Sequence, residues 1–164
     1  MNNILIRIAT EKESAIVQTI ATASYNVAYI DILSRKQIDF MLKNLYSIEE
    51  ILRLMRNGQD FYLILEENNT KGFLAVEEKE KGVLRIEKLY LLPVMKGKGY
   101  GKSLIDFAEK IARERNCAKL ELNVNRGNNA RYFYERQGFV ITEEVDIPLD
   151  EFILDDYIMQ KELV

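Results

Sequence analysis

Leu89-Tyr90-Leu91-Leu92-Pro93-Val94-Met95-Lys96-Gly97-Lys98-Gly99-Tyr100-Gly101-Lys102 changes periodicity part-way along. Up to Leu92 it reads as a buried strand and Pro93 stops it; past three alternating glycines, Leu104, Ile105, Ala108, Ile111 and Ala112 share one face of a helix. Glycine takes positive φ and lets the backbone come close to a ligand, and a helix start presents N–H groups that have no intrahelical acceptor. The pattern predicts a cradle for anionic oxygens. Lys96, Lys98 and Lys102 add local positive charge to a chain whose net charge is −3, which suits a diphosphate. A tight turn without a ligand also collects Gly and Lys, so that reading stands beside the first. Two nucleotide motifs fail in register: a triphosphate P-loop needs glycine where Lys96 stands, and G-x-G-x-x-G needs one at Lys102.

Toward the N-terminus, Phe61 to Glu66, Phe73 to Glu78 and Val83 to Leu92 alternate as consecutive antiparallel strands, with turns at Asn68 to Gly72 and at Lys81-Gly82. Before them come helix starts at Ser34 with Gln37 and at Ser47 with Glu50, the second helix closed by Gly58. Ile4, Ile6 and Ile8 form a first strand, and the Thr10/Glu13 pair opens a helix from Glu11 to about Tyr25. Toward the C-terminus, Leu120, Leu122 and Val124 alternate as a strand. Asn128 or Asn129 caps a short helix ending near Gln137 and Gly138, and Phe139 to Val145 and Phe152 to Lys161 are the last strands. The order predicts one mixed α/β domain over residues 1–164, with no repeat or linker.

The composition excludes several chemistries. There is no histidine, so a Ser-His-Asp triad, a Cys-His pair and a histidine metal site are all unavailable. The lone Cys117 makes neither an internal disulfide nor a zinc site, and reads as a buried structural thiol in a reducing compartment. Mild acidity offers nothing to nucleic acid and is compatible with a cationic substrate. No stretch suits a signal peptide or a membrane span, so the expectation is a cytoplasmic protein.

Lys96-Gly97-Lys98-Gly99-Tyr100-Gly101 resembles the acetyl-CoA signature of the GNAT superfamily of N-acetyltransferases, Gln/Arg-x-x-Gly-x-Gly/Ala, with Lys96 in place of Gln or Arg. Asn125 to Phe139 is similar to the family's Asn-x-x-Ala-x-x-Phe-Tyr-x-x-x-Gly-Phe block, with Asn128 the best match to its asparagine. Tyr46-Ser47, Gly58 and Asp155 to Met159 resemble bacterial polyamine and small-amine acetyltransferases of that superfamily.

The resemblance implies the GNAT fold, a single mixed central sheet with two parallel strands splitting apart between flanking helices. It implies acetyl-CoA as cosubstrate, a small-molecule amine as acceptor, direct attack without a metal, and a fold in which homodimers are common. Leu89 and Leu91 would bind the pantetheine arm, and Lys96, Gly97, Lys98, Gly99, Tyr100, Gly101 and Lys102 the pyrophosphate, with Asn128 also at the cofactor. Tyr134 falls where the family carries its general acid, and Glu87 where some polyamine-type members carry a base. Tyr134 as helix core and Glu87 as a solvated strand residue between Arg85 and Lys88 are the plain alternatives. A GNAT-fold module that binds acyl-CoA without turnover is the competing function.

Overall fold

The computed structural model describes residues 3–163. Strand β1 (Ile4–Ile8) leads through a 3₁₀ turn (Glu11–Glu13) into α1 (Ser14–Ala28), followed by α2 (Arg35–Leu45) and α3 (Ile48–Arg56). Then come β2 (Asp60–Glu66), β3 (Asn69–Glu80) and β4 (Val83–Leu91), a 3₁₀ turn (Pro93–Met95) and α4 (Tyr100–Glu114). The chain ends with β5 (Lys119–Asn125), α5 (Ala130–Arg136), β6 (Val140–Leu149) and β7 (Phe152–Glu162). All described strands lie in one sheet ordered β1-β2-β3-β4-β5-β7-β6.

The predicted caps form. Ser34 and Ser47 accept from the backbone N–H of Gln37 and Glu50, each at 3.1 Å, and Glu13 reaches back to the Thr10 N–H at 2.9 Å. Three boundaries differ from expectation. α1 runs a further turn, to Ala28, because Tyr25 and its neighbours are held against the sheet. The β2–β3 turn is tighter than read, with Glu67 and Asn68 both at positive φ (51° and 69°), so β3 begins at Asn69. β6 continues through Pro148 to Leu149, which an edge strand tolerates because one side of it needs no donor.

Each face of the sheet carries a core. Leu84, Ile86, Leu120, Leu122 and Met159 pack with Leu104, Ile105 and Ala108 of α4, while Phe61, Leu63, Phe73 and Ala75 pack beneath Val17, Ile20, Ile38 and Ile51 of α1–α3. The β6–β7 hairpin tip bends onto α2, with the rings of Phe40 and Phe152 5.3 Å apart and Lys36 paired to Glu151 at 3.2 Å.

One junction in the sheet decides where a site can be. β4 and β5 run parallel but pair only from Val83 to Ile86 against Lys119 to Leu122, and beyond that they part. At the parting point β4 bulges: Ala75 faces Lys88 and Val76 faces Ile86, leaving Glu87 as the extra residue. The bulge turns Lys88 and Tyr90 toward α1–α3 and Leu89 and Leu91 toward α4.

Candidate active site

A cavity of about 770 Å³ fills the split and continues beneath α1 and α3, lined at one end by Gly97, Gly99, Gly101 and Lys102 and elsewhere by Glu87, Tyr134 and Asp156. Gly97 and Gly99 have φ of +79° and +88°, a region side chains rarely enter, and Gly99 is the N-cap of α4 with no side chain bonded there. The first N–H groups of that 15-residue helix therefore face outward uncapped, an anion site by construction. Lys96 and Lys102 line the same end. Gly101 has another reason to be glycine: a Cβ there would sit 3.1 Å from the Phe133 ring, so it sets how closely α5 approaches α4.

Lys98 and Tyr100 differ from the rest of the predicted loop set. Neither lines the cavity, and Tyr100 is buried with its hydroxyl donated to Glu66, so its side chain anchors α4 to β2. Only its backbone N–H serves the helix terminus.

Leu92 N–H bonds the Lys71 carbonyl at 2.9 Å, a register that directs the backbone groups of Tyr90 to β3 and those of Leu89 and Leu91 into the split. The Leu91 carbonyl already accepts from the Ser24 hydroxyl at 2.6 Å. The Leu89 groups and the Leu91 N–H remain turned to the cavity. Asn128, one residue ahead of the α5 N-cap Asn129, accepts from the Ala130 N–H on its Oδ1 at 2.9 Å.

Tyr134 is half-buried between Phe133 and Phe139, with ring centres 5.3 and 5.9 Å away, and it lines the cavity. Burial, helped by nearby Tyr29, pushes its phenol well above the ordinary value. The phenol is therefore held in its protonated form, as a proton donor must be. Glu87 also lines the cavity, but its Oε1 accepts from Arg85 at 2.9 Å and lies 3.8 Å from Lys79. Arg85 reaches on to Glu121 and to Asn123 Oδ1 (2.7 Å), and Gln160 donates to Glu121 at 2.6 Å. This polar chain crosses β4, β5 and β7 on the α1–α3 face.

The sequence reading missed three features. Asp156 of β7 lines the cavity, where among the described residues its side chain accepts only from the Asn123 amide, at 3.2 Å, and burial raises its pKa. Tyr25, Tyr29, Tyr46 and Tyr90 form an aromatic wall; the Tyr25 ring lies 4.8, 5.2 and 5.3 Å from the other three. Lys88 opens onto that wall. The doubled acid Asp155-Asp156 and the tyrosine-rich composition were the visible hints. Cys117 stands outside the cavity lining, against Glu78 at 3.5 Å, and burial pushes its thiol up, as expected of a structural cysteine.

A sheet that splits between two parallel strands, with a glycine-lined helix terminus at the mouth of the split, defines a class of acyl-group transferases. Residues 19–139 match the model of the acetyltransferase (GNAT) family, and the chain belongs to that family. It is similar to an uncharacterised N-acetyltransferase of Lactobacillus delbrueckii subsp. lactis, 31% identical over 115 residues that are 65% of this chain and 66% of the relative. A spermidine N(1)-acetyltransferase of Thermoplasma acidophilum is 29% identical over 150 residues, 87% of this chain and 86% of the relative. Among solved structures, the PaiA N-acetyltransferase of Thermoplasma acidophilum in complex with coenzyme A superposes with a TM-score of 0.85 at 26% identity, covering 98% of this chain and 99% of that one. No helix among the described residues is long and apolar enough to cross a membrane.

Proposed function

We propose that this chain is, as one domain, an acetyl-CoA-dependent N-acetyltransferase acting on the primary amine of a small molecule. The observation that carries the reading is the continuity of the cavity: the uncapped terminus of α4, the unpaired edge of β4, Tyr134 and two carboxylates all open onto one space. Family membership and the similarity to a spermidine acetyltransferase and to a coenzyme A complex support it. The similarity to a spermidine acetyltransferase puts polyamines in the acceptor panel.

The α4 N-terminus with Gly97, Gly99, Lys96 and Lys102 fits a diphosphate, and the Leu89 backbone fits the amides of an extended arm. The acceptor ammonium gives up two protons in all. One leaves through a carboxylate to solvent before nitrogen attacks the thioester carbon; the C–N bond then forms, the C–S bond breaks, and Tyr134 donates to the departing sulfur, recovering its proton from the nitrogen. Asp156 is better placed than Glu87 as the carboxylate. Glu87 is already engaged by Arg85 and Lys79, whereas Asp156 faces an amide and sits where burial makes it more basic.

Release of free CoA thiol from acetyl-CoA across an amine panel tests the reading, with mass detection of the acetylated product. Stabilisation by acetyl-CoA with no turnover on any amine would overturn it in favour of a binding module.

A further inference from the structure

The carboxylates and cations on the α1–α3 side of the cavity are mostly satisfied by one another. Glu50 holds Arg53 at two points, 2.6 and 2.7 Å, and Glu87 is held by Arg85 and Lys79. Arg85 is shared further with Glu121. Two lining groups of opposite sign make no ion pair of their own among the described residues. One is Asp156, whose side chain meets no cation at ion-pairing distance among the described residues.

The other is Lys88. Its Nζ donates to Gln59 Oε1 at 2.7 Å and lies 5.7 and 5.6 Å from the ring centres of Tyr46 and Phe61, with no carboxylate at ion-pairing distance among the described residues. Buried Gln59 donates its own Nε2 to Glu77 at 3.3 Å, which fixes its oxygen toward the ammonium. Burial lowers the Lys88 pKa to about 8, a cost that the carboxylates of Glu87, Glu50 and Glu77, all beyond ion-pairing distance, offset only in part. The Tyr46 ring lies beside it, with Tyr25 and Tyr90 packed on Tyr46 along the same wall; the Tyr90 hydroxyl donates to that of Tyr25 at 3.3 Å.

On its α1–α3 side the cavity thus presents an ammonium and a carboxylate, Lys88 and Asp156, that have no ion-pair partner among the described residues, and the two together are complementary to a zwitterion. We propose that the acceptor is an amine that also bears a carboxylate, an amino acid in the broad sense, with its carboxylate seated on Lys88 among the tyrosine hydroxyls and its amine turned to Asp156 and Tyr134. This rests on the transferase reading above. A polyamine would instead bring a second ammonium against Lys88, a like-charge contact in a poorly solvated pocket.

The test compares an amino acid, its primary amide and the diamine of equal length as acceptors, by CoA thiol release. The amino acid is expected to exceed both others in kcat/KM by at least about tenfold. In Lys88→Met the preference over the amide collapses toward unity, and Lys88→Arg, which keeps the charge, retains most of it. A readout without turnover accompanies this: with CoA bound, the amino acid raises the Tm of the wild type and of Lys88→Arg but not that of Lys88→Met or of a second neutral variant, Lys88→Gln. Unchanged stabilisation by acetyl-CoA shows that each variant is folded with its cofactor end intact. Preference for the diamine, or an amino-acid preference that survives Lys88→Met and Lys88→Gln, overturns the proposal. Stabilisation by acetyl-CoA with no thiol release from any acceptor is a different result, and removes the transferase reading and this inference with it.

Discussion

Removing one oxygen from Tyr134 separates its two duties, filling space between Phe133 and Phe139 and holding a proton. Tyr134→Phe is expected to keep Tm and acetyl-CoA affinity while kcat falls roughly 10²- to 10⁴-fold. Near-normal kcat with chemistry shown to be rate-limiting would reduce the residue to packing. Asp156 gives the matching pH prediction. A base works deprotonated, and burial raises this carboxyl, so kcat/KM should fall, as pH drops, through a limb above the ordinary carboxylate range. Asp156→Asn should abolish that limb along with most of the rate, and Glu87→Gln should leave the limb in place. Residues fixed by the local motif, Tyr134 and the glycines, were legible in the sequence because their spacing along the chain is their signal. Lys88 and Asp156 were not. What singles them out is that neither has an ion-pair partner among the described residues, and that depends on Arg53, Arg85 and Lys79 having been drawn off to Glu50 and Glu87 by the fold.

Two glycines of the α4 entrance, similar in sequence, should fail in different ways. Alanine at Gly99 meets no neighbouring atom but must hold φ near +88°, which strains the loop that presents the N–H groups. Alanine at Gly101 meets the Phe133 ring at 3.1 Å and displaces the helix that carries Tyr134. Steady-state kinetics should therefore show Gly99→Ala chiefly raising the KM for acetyl-CoA, and Gly101→Ala lowering kcat as well. At the other end of the chain, the β1–α1 corner is held by Glu13, which accepts from Arg7 at 2.9 and 2.8 Å and from the Thr10 N–H. These bonds hold its carboxyl at about 2, below the usual range. A depressed acid stabilises the fold above its unfolded pKa and loses that contribution as pH falls through the folded value, so thermal melts should show an acid-side decline from about 4.5 toward 2 that Glu13→Gln lacks. Helix starts were legible because a cap is a contact between residues three apart. The β2–β3 turn was misread because Asn68 to Gly72 carries two asparagines and a glycine, all turn formers, and only the register with β4, where Gly72 must clear the Tyr90 carbonyl, puts Gly72 inside the strand.

Across the whole molecule, the antiparallel run β2–β4 could be anticipated from the alternation along the chain, but the insertion of β7 between β5 and β6 and the width of the split could not, the latter depending on where β4 bulges. The two parts of the sheet are joined by a parallel ladder only from Val83 to Ile86, so a ligand lying in the split should tie them together. Hydrogen exchange should accordingly slow at Leu89, Leu91 and the α4 entrance when acetyl-CoA is added, with β1 and β2 unaffected. Ionic strength offers a global check on the acceptor. Steering of a multivalent cation weakens as salt screens it, whereas a zwitterion, neutral in sum, should react at a nearly salt-independent kcat/KM.

The inward edge of β4 also has a pharmacological side. From Glu87 to Leu91 the strand offers backbone groups that no neighbouring strand uses, and such an edge reads amide spacing rather than chemical identity. A short, extended peptidomimetic with no nucleotide at all meets the same row of groups. Such a compound should compete with acetyl-CoA while leaving the saturating rate unchanged, and N-methylating the one amide that would face the Leu89 carbonyl should cost it most of its potency.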